Sequence, residues 1–105
     1  MTNCVIYCTA PNEFTANLIA TTLVDEKLVA CVNIVPSITS VYKWENEVQT
    51  DKELLMIIKT QQCHFEKIEE KIKQLHEYSI PEIIAIPIIK SSEEYKNWII
   101  KETTC

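Results

Sequence analysis

The sequence predicts one α+β domain of the split βαβ kind, on three observations. The hydrophobic pattern switches between strand and helix periods in the order β, α, β, β, α, β, α. A length of 105 residues suits one core, so residues 1–105 are read as a single domain. Two long β-rich arms meet at a turn on Asn46, which makes one extended hairpin the centre of the chain.

Cys4-Val5-Ile6-Tyr7-Cys8-Thr9 is a continuous apolar run suited to a central strand, and Pro11-Asn12 supplies a break and an N-cap. The stripe Ala16, Ile19, Ala20, Leu23 has helical spacing and predicts a first helix ending near Lys27. Val29 to Val35 is β-rich, and beyond Pro36 the residues alternate, with Ile38, Ser40, Tyr42 and Trp44 on one face. The proline predicts a bulge in that strand. The return arm, Val48 to Thr60, ends in Leu54-Leu55-Met56-Ile57-Ile58, too apolar for a solvated strand. Phe65, Ile68, Ile72 and Leu75 predict a second helix whose Lys and Glu residues face water. Glu82 to Ile88 reads as a strand, and the capping box Ser91-x-x-Glu94 opens a third helix carrying Tyr95, Trp98 and Ile99 as a terminal flap. That order is the ferredoxin-like arrangement, an antiparallel sheet with helices on one face.

Composition excludes several function classes. The chain has 15 acidic and 10 basic residues, all of the latter lysine, so it lacks the arginine forks and positive balance that nucleic acid requires. It contains no glycine, which rules out Walker and dinucleotide-binding loops. No secretion signal and no membrane span is read, which points to the cytoplasm and to reduced thiols among the five cysteines, with Cys105 a frayed terminal thiol. No catalytic Ser-His-Asp or Cys-His constellation is identifiable, so no enzyme is expected.

A hairpin with about twelve residues per arm is near 40 Å long, and most of it should project past so small a domain. Its exposed aromatic area and unpaired edges invite aggregation unless another chain covers them, which predicts self-assembly.

Cys31-Val32-Asn33-Ile34-Val35-Pro36, then Ser40-x-Tyr42-x-Trp44, Glu53 to Lys59-Thr60, His76 and Pro81-Glu82-Ile83-Ile84-Ala85 resemble the CutA family, the divalent-cation-tolerance proteins. The similarity begins at Tyr7-Cys8-Thr9-Ala10-Pro11 and runs to Trp98-Ile99. The resemblance implies a homotrimer of ferredoxin-like subunits joined through the long hairpins, with clefts between neighbours and an association with copper and other divalent cations. It also implies kinship in architecture with the PII signalling proteins, which bind small ligands in such clefts. Two departures stand out: the family usually has glycine where Asn46 stands and proline where Glu77 follows His76.

Spacing sorts the candidate ligands. Cys4 and Cys8 are about 13 Å apart along a strand and cannot share an ion, so both read as buried small hydrophobes. His64 and His76 lie about 18 Å apart along a helix. Cys63-His64 offers a thiolate and an imidazole at a helix start, or a capping pair. Cys31, at a family position, reads as buried or as a thiol facing a subunit cleft. Glu53, Lys59, His76, Tyr78 and Glu82 are expected to converge near one rim across a subunit seam, as a ligand site or an interfacial salt-bridge network. In the first case His76 with Glu82 holds a divalent cation and Lys59 an anion. Val41, Tyr42, Trp44 and Trp98 read as interface packing. The leading expectation is a metal-binding, metal-responsive trimer with copper or zinc as the ion and no required cofactor; the alternative is a trimeric sensor of a small anionic metabolite. Neither needs nucleic acid or membrane.

Overall fold

The computed structural model describes residues 2–105. The elements are β1 (Asn3–Ala10), α1 (Glu13–Asp25), β2 (Cys31–Trp44), β3 (Glu47–Gln61), α2 (Phe65–Leu75), β4 (Ile84–Pro87) and α3 (Glu93–Glu102), with a 3-10 turn, Gln62–His64, leading into α2. The strands form one antiparallel sheet in the order β2-β3-β1-β4, the ferredoxin-like topology expected from the sequence.

The core lies between one face of this sheet and helices α1 and α2. Cross-strand pairs share a face, so Ile6 with Ile58, Cys8 with Met56 and Ala10 with Leu54 make one buried layer. Ala16, Ile19 and Leu23 from α1 and Ile68 and Ile72 from α2 pack on it. Each fully buried isoleucine stabilises this layer by about 1.5–3 kcal/mol. The intervening pairs, Val5 with Lys59, Tyr7 with Ile57 and Thr9 with Leu55, point to the opposite face, which Asn33, Val35, Ile84 and Ile86 extend on either side. There Val35, Ile84 and Ile86 are exposed and Val5, Tyr7, Leu55 and Ile57 half-buried.

The hairpin is long, but less of it projects than expected. From Leu54 onward β3 is flanked by both β1 and β2, whereas Glu47 to Glu53 pairs only with Ile38 to Trp44. Half of the ribbon therefore stands free, because β1 is only 8 residues long. The expected bulge lies at Pro36-Ser37, where the register jumps between Val35 and Ile38 and Ser37 takes φ 60°.

Without glycine, other residues occupy the left-handed backbone region. Lys27 (φ 60°) closes α1, its N–H reaching the Val24 carbonyl (3.0 Å) while Leu28 reaches Leu23 (3.1 Å), a Schellman ending. Glu45 (φ 50°) and Asn46 (φ 65°) make the two-residue hairpin turn, both with positive φ as the twist of such a ribbon demands.

Three details differ from the sequence reading. The N-cap of α3 is Ser92, whose Oγ accepts from the Tyr95 N–H (3.2 Å); the cap lies one residue beyond the expected Ser91, with Tyr95 where a capping box would place a glutamate. The third helix is no flap. Ile99 and Thr103 are fully buried, Asn3 Nδ2 donates to the Lys96 carbonyl (3.3 Å) and Gln61 Nε2 to the Thr103 carbonyl (2.7 Å). That anchoring also carries Cys105 to Cys63, and the two form a disulfide, whereas the sequence pointed to reduced thiols and a frayed Cys105.

The connection from α2 to β4 is held by Glu77. Its carboxylate accepts from Asn12 Nδ2 (3.0 Å) and from the Thr15 hydroxyl, tying the turn to the start of α1 where the resemblance led to expect a rigid proline. Those bonds from Thr15 and Asn12 hold the Glu77 carboxyl below its ordinary value of 4.5.

Two outcomes follow for stability. Asn46→Gly removes the steric cost of a side chain at positive φ and should raise thermal stability by about 0.5–1 kcal/mol, read from the shift in melting temperature; no gain would contradict the turn assigned to Glu45-Asn46. Glu77 has a depressed folded-state value, so its contribution is complete above pH 4.5 and fades as pH falls through the folded value. Stability measured against pH should therefore show the wild type leading Glu77→Gln at neutral pH and the lead closing on acidification; parallel curves would contradict the tether.

Candidate functional site

The hairpin root and the turn between α2 and β4 enclose a cavity of about 610 Å³, lined among others by Thr9, Tyr42, Trp44, Glu53, Tyr78, Ile80 and Glu82. Sequence alone dictates much of this. The ribbon's alternation sends Ser40, Tyr42 and Trp44 to one side, and Glu53 sits where β3 leaves the shelter of β1. Pro81 ends the turn and aims the chain into β4.

Glu53 is 7 % exposed, an unusual place for a carboxylate, and the Tyr78 hydroxyl donates to its Oε2 (2.7 Å). Burial, and then the Glu53 carboxylate, push the Tyr78 hydroxyl well above the ordinary tyrosine value, so it stays a donor at every physiological pH. On the ribbon the Tyr42 hydroxyl donates to Asp51, and that bond raises its value in the same sense. Cys8 lies behind the cavity, fully buried; burial together with the Glu82 and Glu53 carboxylates pushes its thiol up to about 12. It remains a neutral packing group, as does Cys4, raised by burial.

His76 has a different part from the one its chemistry suggests. Its Nε2 donates to the Thr9 carbonyl (2.7 Å), since a carbonyl only accepts, and its Nδ1 accepts from the Tyr78 N–H (3.1 Å). Both nitrogens are engaged, leaving no lone pair for an ion. The ring also stacks at 4.7 Å against Tyr78 and positions it beneath Glu53. Within one chain Glu53, Glu77 and Glu82 line the cavity; the Glu77 carboxylate already accepts from Asn12 and Thr15, which leaves Glu53 and Glu82 as the carboxylates to offer an ion, and His76 supports Glu53 through Tyr78.

The remaining predicted residues lie elsewhere. Cys31 pairs with Lys59 at the far end of the sheet, six residues along β3 from Glu53, which is about 20 Å. There Cys31 Sγ lies 3.8 Å from Asn33 Oδ1, and Tyr95 is raised by burial and by the neighbouring Cys31. Trp98 belongs to that end as well, stacked on Tyr95 at 5.4 Å, while Val41, Tyr42 and Trp44 line the cavity. Among the described residues the salt bridges are Lys71 to Glu26 (3.3 Å) and Lys73 to Glu69 (3.1 Å), on the helices. The cluster expected at one rim is thus divided within a single chain, because five strand residues separate the levels of Leu54 and Lys59. Sequence reading missed Thr9, Asp51 and Ile80; the cross-strand level of Thr9 with Leu55, next to Glu53, is the signal that could have found the first.

Comparison with known proteins places this geometry. Residues 4–102 match the family model described as CutA1 divalent ion tolerance protein. The chain is 48 % identical over 99 residues to the divalent-cation tolerance protein CutA of Thermus thermophilus, covering 94 % of this chain and 96 % of that one. It is also 48 % identical to the chloroplastic CutA of Arabidopsis thaliana, of whose length it spans about half (54 %). Among solved structures, CutA1 from Oryza sativa superposes with a TM-score of 0.95 at 45 % identity, over 98 % of this chain and 94 % of that chain. The Thermus thermophilus Cut A1 structure superposes with a TM-score of 0.94 at 46 % identity, over 96 % and 98 %. This chain belongs to the CutA1 divalent ion tolerance family.

Proposed function

We propose that the protein is a divalent-cation-tolerance protein that works as a homotrimer in the cytoplasm, taking up copper, zinc or a similar divalent ion at the cleft rooted on Glu53 and Glu82. The observation that carries the reading is the pairing of a nearly buried carboxylate with an apolar surface that lacks a cover. Glu53 lies in a cavity with Glu82 as a second carboxylate, an arrangement that a divalent charge would stabilise. The face of the sheet away from α1 and α2, met by α3 at its Asn3 and Gln61 end, carries Val5, Tyr7, Leu55, Ile57, Ile84 and Ile86, and the free half of the ribbon exposes Val41 (65 %) and Val48 (70 %). Apolar surface on both sides of the sheet, beside an unpaired strand edge, is an aggregation hazard unless covered, and the trimer that the family resemblance implies would supply the cover in copies of the chain.

The donor set present fits the ion through oxygen. His76 has spent both nitrogens and Cys8 keeps its proton, so Glu53 and Glu82 would hold the cation. Cys31 and Lys59 would reach a cleft only from across a seam, and Val41, Tyr42 and Trp44 would form the packed wall between subunits, with Trp98 outside it. The family match favours this reading over a small-metabolite sensor.

Light scattering on the native protein should give three times the mass of one chain, and Val41→Asp with Val48→Asp should shift it toward the monomer; a wild-type monomer would sink the proposal. Calorimetric titration of zinc into a variant with Cys31, Cys63 and Cys105 changed to serine should give a Kd tighter than about 1 mM. Adding Glu53→Gln and Glu82→Gln should weaken it by at least about tenfold, a combined loss of about 1.4 kcal/mol or more. An unchanged affinity would remove the carboxylates from the site.

A further inference from the structure

Beyond this cleft, a second constellation lies where β3 runs into the 3-10 turn and meets the end of α3. Gln61 Nε2 donates to the Thr103 carbonyl (2.7 Å), and the Thr103 hydroxyl donates to the Ile99 carbonyl (2.6 Å). Both Gln61 and Thr103 are buried, so this is a fixed platform. His64 Nε2 lies 2.8 Å from the same Thr103 carbonyl. A carbonyl only accepts, so the neutral ring carries its proton on Nε2 and keeps the Nδ1 lone pair, the arrangement by which a backbone carbonyl orients a metal-binding imidazole. Beside it Cys63 and Cys105 form a disulfide, their Cα atoms 6.3 Å apart. The two sulfurs and one ring nitrogen lie within 4.8 Å of one another, with both cysteines exposed and His64 half-buried.

The geometry points to a redox-gated site for a thiophilic divalent cation of the zinc type, made by Cys63, His64 and Cys105: a metal centre when the cysteines are reduced, a disulfide when they are oxidised. Cys105 lies outside residues 4–102 of the family match, and none of the three residues lines the cleft proposed above, so the site is independent of that reading.

The chemistry balances in two steps. A disulfide plus two small cellular thiols gives two protein thiols and one small-molecule disulfide: the protein S–S bond takes two electrons and two protons, and a new S–S bond forms between the small thiols. The cation then displaces two protons from the cysteines and takes two thiolates and the neutral imidazole, with water in a fourth position. Two thiolates cancel the charge of a divalent ion. Tetrahedral zinc with Zn–S near 2.3 Å holds its sulfurs about 3.8 Å apart, so bonded sulfurs cannot ligate it as thiolates and the two states exclude each other. Cys4 and Cys8 do not compete, being buried in the core.

The test uses the whole chain in two states: reduced with a phosphine without oxygen, and oxidised with the Cys63–Cys105 bond verified by mass spectrometry. Each is titrated with cobalt(II), followed by zinc(II). The reduced chain should bind one cobalt with a thiolate-to-metal charge-transfer band in the near ultraviolet, zinc should abolish the band, and the oxidised chain should lack it. Reduced Cys63→Ser, Cys105→Ser and His64→Asn should each bind at least about tenfold more weakly, while Cys31→Ser binds as the wild type does. Glu53→Gln with Glu82→Gln should leave the band intact, so failure of the cleft and failure of this site remain separable. Far-ultraviolet circular dichroism checks the fold of each variant, and the wild-type comparison of oxidised and reduced protein needs no variant. Cobalt bound to reduced protein without the band, a band in Cys105→Ser that forms with wild-type affinity and intensity, or the same band in the oxidised chain would each overturn the assignment.

Discussion

Strand β3 is the constraint on which the rest of this molecule depends. Its second half, Leu54 to Gln61, is held on both sides and carries Met56 and Ile58 into the core. Its first half, Glu47 to Glu53, leaves that shelter and, among the described strands, pairs with β2 alone. The change of environment falls at Glu53 and Leu54, and the cavity opens there. A carboxylate at that step is half inside a protein and half at the foot of a ribbon, which is how a residue 7 % exposed also lines the cavity.

Around that step the polar groups form a chain of supports. Thr9 accepts from His76, His76 accepts from the Tyr78 backbone, and the Tyr78 hydroxyl donates to Glu53. Glu77, next to His76, fastens the same turn to α1 through Asn12 and Thr15. A histidine with both nitrogens satisfied is a positioning group, and the catalogue of metal-friendly residue types overstates what such a ring can do. Where Nδ1 accepts no hydrogen bond among the described residues, as at His64 with its Nε2 on the Thr103 carbonyl, the same residue type regains its capacity as a ligand.

Elements were legible in the sequence where period and punctuation agreed. The α2 stripe, the Asn12 cap, the bulge at Pro36 and the turn at Asn46 all express local chemistry that neighbours in sequence decide. Long-range register was not legible. Nothing local shows that β1 covers only the last half of β3, which is why Lys59 and Glu53 looked like members of one rim and lie at separate levels of the sheet. The pairing of Cys63 with Cys105 likewise depends on where α3 docks, set by Gln61 and Thr103 across 42 residues. The cap of α3, read at Ser91 from its spacing to Glu94, lies one residue on at Ser92, and a run of two serines before two glutamates is a pattern whose register local chemistry fixes weakly.

Assembly requires the free ribbon and the open sheet face to be sheltered by other copies of the chain. Amide hydrogen exchange on dilute native protein measures that shelter directly, residue by residue. Backbone amides of Ile38 to Trp44 and Glu47 to Glu53 should exchange nearly as slowly as those of Leu54 to Gln61. If they exchange at the rate of an open strand while the core stays protected, the ribbon is solvated and the assembly does not exist.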